Sequence, residues 1–241
     1  MAGSGHDRIV FPLDVPTREA AEQLVELLDG HVGMFKVGLE LFIEAGPDMV
    51  RWIRKRTDAN IFLDLKLHDI PATVGKAVSR AAGLGADFIT VHCGEQTAML
   101  AAAVSHAQGR IGILGVTVLT SIHERDLSVA GFASPYADDV NALVTKRARQ
   151  AMAAGCSGVI CSGHEAPGIK REAPAGFLAM TPGIRPAWEG VGTDDQARVL
   201  TPAEAVANGA DYLVIGRPIR NADDPVAAAD RVAAEIASGS A

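Results

Sequence analysis

Eight short runs of β-branched and apolar residues recur along the chain, at approximately Arg8 to Leu13, Met34 to Val37, Ile61 to Leu65, Phe88 to His92, Ile111 to Val118, Gly158 to Cys161, Phe177 to Thr181 and Tyr212 to Ile215. Longer, often Ala-rich segments with helical spacing separate them, among them Thr17 to Leu28, Ala72 to Leu84, Gln96 to His106, Asp139 to Ala154 and Pro202 to Asn208. Several of these are preceded by Asp, Thr or Pro, and Gly30, Gly85, Gly155 and Gly209 follow helical runs where a left-handed C-terminal residue is expected. Strand then helix, eight times, predicts a (β/α)8 barrel, the TIM-barrel architecture of the α/β class. With 241 residues and no Pro/Gly/Ser-rich linker between two cores, residues 1–241 are expected to form a single domain. A doubly wound open sheet is the alternative. The first run ends in Leu13-Asp14-Val15-Pro16 without a G-x-G-x-x-G turn, so no dinucleotide site is visible.

Composition narrows the partners. A net charge of -7 and 5% aromatic residues argue against nucleic acid or an anionic membrane, although a small anion could still bind locally. Cys93, Cys156 and Cys161 are odd in number, lack C-x-x-C spacing and lie in or beside apolar segments, so reduced, buried thiols and a cytoplasmic setting are expected. The N-terminal MAGSGHDRIV has no apolar signal core, and no apolar run approaches bilayer length.

In such a barrel functional groups gather at the carboxyl ends of the strands, and those ends are polar here. The third run continues into Asp64-Leu65-Lys66-Leu67-His68-Asp69-Ile70-Pro71. Strand alternation puts Asp64 and Lys66 on one face and Leu65 and Leu67 on the other, with Asp69 in the turn beyond and Pro71 placed to open a helix. A cation flanked by carboxylates at the end of an apolar strand is costly to desolvate unless the charges bond one another or face a ligand. The other ends carry Asp14, Lys36, His92, Thr117 with Thr120 and Ser121, Thr181 running into Arg185, and Gly216-Arg217. Singly, Asp14 suits a cap for the helix starting near Thr17, Lys36 a solvated rim charge, and Lys66 a structural ion pair. Together they suggest one site. Gly216 lets a backbone N–H approach an anion and Arg217 offers a forked pair of donors, which suits phosphate. Residues 182–195 hold three glycines, two prolines and Trp188 with little helical periodicity, as expected of a loop over that phosphate site.

The run DLKLHDIPATV resembles the signature of the orotidine 5'-phosphate decarboxylase family, and FPLDVP, FKVGLELF, GVTVLTS, TPGIR, DDQARVLTPAEA and VIGRPI extend the resemblance over nearly the whole chain. It implies a cofactor- and metal-independent decarboxylation of orotidine 5'-phosphate to UMP. It also implies that Asp64, Lys66, Asp69 and Lys36 form the charged network, that Asp14 and Lys36 contact ribose, and that Thr120 lies beside the pyrimidine. Gln196, Gly216 and Arg217 would hold phosphate, with Arg185 a further contact. A homodimer is implied, in which Asp69, Ile70 and Thr73 complete the neighbouring site. The segment Ser121 to Asp138 is the departure whose correspondence is not fixed. His68, His92 and His164 lie near strand ends but lack spacing suited to zinc, and no metal is expected of them. The enzymatic alternative is a metal-dependent sugar-phosphate decarboxylase or aldolase of the same superfamily. A non-catalytic nucleotide-binding barrel is the alternative of another class.

Overall fold

The structure, a computed structural model, describes residues 4–94, 97–189 and 199–239. Its strands are β1 (Ile9–Pro12), β2 (Met34–Gly38), β3 (Asn60–Leu67), β4 (Phe88–His92), β5 (Gly112–Val116), β6 (Gly158–Ile160), β7 (Leu178–Thr181) and β8 (Tyr212–Val214). They pair in parallel, in chain order, as a closed barrel in which Ile9 and Val10 meet Leu213 and Val214. The (β/α)8 expectation is met and the open-sheet alternative is set aside.

Between the strands run the helices Arg18–Leu28, Leu39–Arg56, Pro71–Ala82, Thr97–Ala107, Val140–Ala153, Ala166–Glu172 and Pro202–Ala207, with Pro225–Gly239 following β8. Local chemistry sets their starts. Thr17 accepts the Ala20 N–H at 3.2 Å, Asp139 accepts the Asn141 N–H at 2.8 Å, and Pro71 occupies the first turn of its helix. The cap before Arg18 is therefore Thr17, which leaves the Asp14 carboxylate available elsewhere. Gly30, Gly85, Gly155 and Gly209 all take positive φ, between 80° and 92°, in the turns that end helices.

Two apolar compartments result from the period of the strands. Outward-facing residues such as Phe11, Phe35, Ile61 and Leu63 pack against the helices, Phe11 and Phe35 edge to face at 6.4 Å. Inward-facing Val10, Met34, Phe62, Leu114 and Met180 fill the barrel lumen as a separate plug. The same inward positions, two residues further along their strands, are Pro12, Lys36, Asp64 and Val116; polar groups thus begin where the plug ends.

The three cysteines are free and buried. Burial pushes the Cys93 and Cys156 thiols up to about 12, and Cys161 higher still, so all three are held as neutral thiols. Among the described residues, no helix is long and apolar enough to cross a membrane. The segment 121–138 folds as an excursion after β5 containing the helix Glu124–Val129, whose start is set by the His123 N–H donating to Asp126 Oδ2 at 2.9 Å.

Candidate active site

A cavity of about 430 Å³ opens at the carboxyl end of the barrel, directly above the apolar plug, within the size range of small-ligand sites. Its floor carries alternating charges. Lys36 Nζ, on the inward face of β2, lies 3.0 Å from Asp14 Oδ1 and 3.6 Å from Asp64 Oδ2. Lys66 Nζ donates to the same Asp64 Oδ2 at 2.7 Å. The side chains of Lys36 and Asp64 are only 11% and 13% exposed, so the centre of the network is largely desolvated, while Lys66 and Asp14, at 31% and 53%, face the cavity and solvent. Gly38 makes room for it: a Cβ there would come within 3.2 Å of both Asp14 Oδ1 and Lys36 Nζ.

Asp64 and Lys66 share a face as expected, but not by simple alternation. Between the pairings Leu63–Ile89 and Leu67–Val91, β3 advances four residues while β4 advances two. The resulting bulge contains Lys66 at φ 49°, a left-handed conformation that costs a non-glycine residue about 1–2 kcal/mol. Thr90, fully buried on β4, holds the bulge from beneath. Its Oγ1 accepts the Lys66 N–H at 2.8 Å and donates to Asp64 Oδ1 at 3.0 Å. One hydroxyl thereby fixes both the strained backbone of the cation and the orientation of its carboxylate.

Thr120, Arg185, Gly216 and Arg217 line the same cavity, with Arg217 following directly on the turn after β8. Gln196 lies outside the described residues, as does 190–195 of the loop expected over the phosphate site. The described part of that loop contains a short 3-10 turn, Ala187–Glu189, with Arg231 stacked 4.1 Å from the Trp188 ring centroid. Asp69, Ile70 and Thr73 are not in the cavity. All three are exposed at the top of β3 and the start of the following helix, and Asp69 Oδ1 accepts the Ile70 N–H at 2.6 Å. The charged network within one chain is therefore Asp14–Lys36–Asp64–Lys66, with Asp69 standing outside it.

His92 lies beside this network, its ring 5.5 Å from that of His68. Burial first, and then the neighbouring charges of His68 and Lys66, hold the His92 imidazole below its usual range, which favours the neutral ring. His164 is exposed. Two residues at the site were not singled out from sequence. Thr90 is a buried strand threonine whose role depends on a cross-strand bulge. Arg220, one turn after Arg217, lines the cavity and donates through Nη1 to the Asp14 carbonyl oxygen; its spacing from Arg217 was the available signal.

The chain is similar to known proteins over most of its length. The family model described as orotidine 5'-phosphate decarboxylase / HUMPS family matches residues 7–232. An orotidine 5'-phosphate decarboxylase of Desulfosudis oleivorans is 51% identical over 231 residues, covering 95% of this chain and 93% of that protein. One of Methylococcus capsulatus is 46% identical over 231 residues, covering 95% and 92%. Among solved structures, the orotidine 5'-phosphate decarboxylase of Lactobacillus acidophilus superposes with a TM-score of 0.82 at 33% identity, covering 95% of this chain and 98% of that one.

Thr90→Val should leave the Lys66 N–H and Asp64 Oδ1 without their buried partner and lower stability by about 1–3 kcal/mol in urea unfolding. Thr90→Ser, which keeps the hydroxyl, should recover most of the loss. Equal losses in the two variants would assign Thr90 to packing instead.

Proposed function

Because the chain belongs to the orotidine 5'-phosphate decarboxylase / HUMPS family, we propose that it is a carboxy-lyase converting orotidine 5'-phosphate to UMP and CO2 in pyrimidine synthesis. The observation that carries this reading is a single cavity that joins the Asp14–Lys36–Asp64–Lys66 network to Gly216 and Arg217. The family description spans two chemistries, and the two relatives at 46% and 51% identity favour the decarboxylase. So does the run His68-Asp69-Ile70-Pro71 after Lys66.

In this reading the reaction needs neither metal nor cofactor, because the cation is the Lys66 ammonium. As the C6–CO2 bond breaks, its electron pair remains on C6, and Lys66 stabilises that charge and then supplies the proton. Asp64, bonded to Lys66 at 2.7 Å, orients the ammonium and faces the departing carboxylate, so a ground-state repulsion is relieved as CO2 leaves. Asp14 and Lys36 hold the ribose, Thr120 the pyrimidine, and Arg217 with Gly216, Arg185 and Gln196 the phosphate. Purified protein should consume orotidine 5'-phosphate, followed by absorbance, equally well with and without chelator. Lys66→Ala should lower kcat by several orders of magnitude while UMP still binds. Turnover that disappears on chelation would favour the metal-dependent sugar-phosphate branch, and near-normal turnover in Lys66→Ala would remove Lys66 from the chemistry.

The phosphate does not react, yet contacts remote from the reacting centre can be realised as transition-state stabilisation. Arg217→Ala should therefore reduce kcat/KM strongly for orotidine 5'-phosphate and hardly at all for the unphosphorylated nucleoside, orotidine. Equal losses on both substrates would assign Arg217 to the fold or the ring pocket.

The exposed position of Asp69, Ile70 and Thr73 supports a twofold dimer in which these residues complete the partner's site, as a self-complementary interface allows. Ile70, 64% exposed, and Ile43, 80% exposed, are apolar groups consistent with such a contact. Lys66→Ala and Asp69→Ala chains, each nearly inactive, should regain roughly a quarter of wild-type activity when unfolded and refolded together, since half the dimers are mixed and each holds one intact site. If mixing restores nothing, each site is built within one chain.

A further inference from the structure

The opposite end of the barrel carries a second cluster of polar side chains. His6 lies in the 3-10 turn immediately before β1, His31 in the loop before β2, and Asp230 on the helix Pro225–Gly239. The histidines precede their strands, so the cluster is at the amino-terminal end, away from the cavity above Asp64. His6 Nε2 and His31 Nδ1 approach the same oxygen, Asp230 Oδ1, at 2.8 and 2.9 Å. The two imidazole rings stand edge to face with centroids 6.3 Å apart. Among the described residues this is the grouping of His, Cys, Asp and Glu whose ligand atoms lie close enough together, all within 4.8 Å, to share one ion.

The three donors are brought together by backbone packing, not only by their own hydrogen bonds. A Cβ on Gly5 would lie 2.1 Å from the Ala233 carbonyl oxygen, one turn along the helix from Asp230. A Cβ on Gly33 would lie 2.3 Å from the Asp7 carbonyl oxygen. Glycines at these two positions let the segment before β1 sit against both the last helix and the loop that carries His31. The donor atoms are thereby positioned at little further entropic cost. Their side chains are 34%, 35% and 50% exposed, which leaves a solvent-facing side for entry and for water.

We propose that His6, His31 and Asp230 form a binding site for a divalent transition-metal ion, of which Zn2+ is the representative, with water completing the shell. Two imidazole nitrogens and one carboxylate oxygen suit Zn2+, Co2+, Ni2+ or Cu2+ and not the all-oxygen preference of Mg2+ or Ca2+. With bonds of about 2.0–2.1 Å, neighbouring ligand atoms of a tetrahedral shell lie about 3.3–3.4 Å apart. The nitrogens therefore need to move back from Asp230 Oδ1 by about half an ångström, a side-chain rotation within this frame. Each neutral imidazole turns a lone pair to the ion and keeps its proton on the far nitrogen. The ion would pin the segment before β1 to the last helix, so its effect is on stability and not on the chemistry at the other end.

The test uses the full chain without an affinity tag, freed of metal by chelator and titrated with ZnCl2 at mildly alkaline pH by calorimetry and thermal unfolding. One ion should bind per chain, and at free Zn2+ about 100-fold above Kd the melting temperature should rise by roughly 5–10 °C. His31→Gln and Asp230→Ala should each abolish that rise while leaving the conversion of orotidine 5'-phosphate unchanged. A Zn2+ response that survives in both variants, or is absent from the parent chain, overturns the site. In the second case the cluster is a hydrogen-bonded clamp only. As a check independent of variant folding, imidazole nitrogen NMR signals should shift for two of the seven histidines with one equivalent of Zn2+. Shifts at other histidines, or at none, overturn the assignment. Turnover is read on the same samples, so failure of the metal site and failure of the decarboxylase reading are separate outcomes.

Discussion

The Asp64 carboxylate is the group on which the polar end of the barrel depends. Its Oδ2 is shared by Lys66 at 2.7 Å and, more loosely, by Lys36 at 3.6 Å, and its Oδ1 accepts from Thr90. Two ammonium groups at the mouth of an apolar barrel would repel one another and forfeit hydration without a carboxylate between them. Asp64 in turn would be an uncompensated buried anion without them. Neither charge type is tolerable alone at this depth, so the bulge in β3, the left-handed Lys66 and the buried Thr90 hydroxyl form one unit. Removing any member exposes the cost that the others offset.

This unit rests on the lumen plug. Val10, Met34, Phe62, Leu114 and Met180 close the barrel beneath it. Because strand side chains alternate, the next inward positions necessarily point into the space above the plug. Lys36 therefore follows Met34 and Asp64 follows Phe62 in the sequence for the same reason that they lie above them in space. Apolar packing sets where the charges stand, and the charges set what the cavity can hold.

Much of this was legible in the sequence because it is periodic or local. The eight strands and the left-handed glycines each announce themselves within a few residues, whereas the cap of the first helix is Thr17 and not Asp14, which the sequence offered for that role. Period two led to the expectation that Asp64 and Lys66 share a face, and they do, but through a bulge that period two does not contain: a register shift depends on β4, more than twenty residues later. Thr90 was silent for the same reason. The helix Leu39–Arg56 was obscured by Gly46, at φ 64°, and Pro47, which interrupt it with signals that ordinarily mark a turn. His6, His31 and Asp230 have no common spacing, and only closure of the barrel brings the last helix back to the first strand.

The two ends of the barrel differ in how they hold their polar groups, and the difference follows from depth. At the carboxyl end, the Asp64 side chain is only 13% exposed, so its 2.7 Å bond to Lys66 is strong and geometrically exacting, and it is maintained by the strained backbone of Lys66. At the amino end, His6, His31 and Asp230 remain one-third to one-half exposed; water screens them and no comparable strain is needed to hold them. Hydrogen bonding from His31 first, and then His6, holds the Asp230 carboxyl below its usual range, a local preference for the anion with little weight in the stability of the whole. A fold that concentrates desolvated charge at one mouth can keep its other mouth solvated and adjustable, because the apolar plug separates the two. Substitutions at the amino end can therefore alter how the chain termini are tied without disturbing the balance of charge around Asp64.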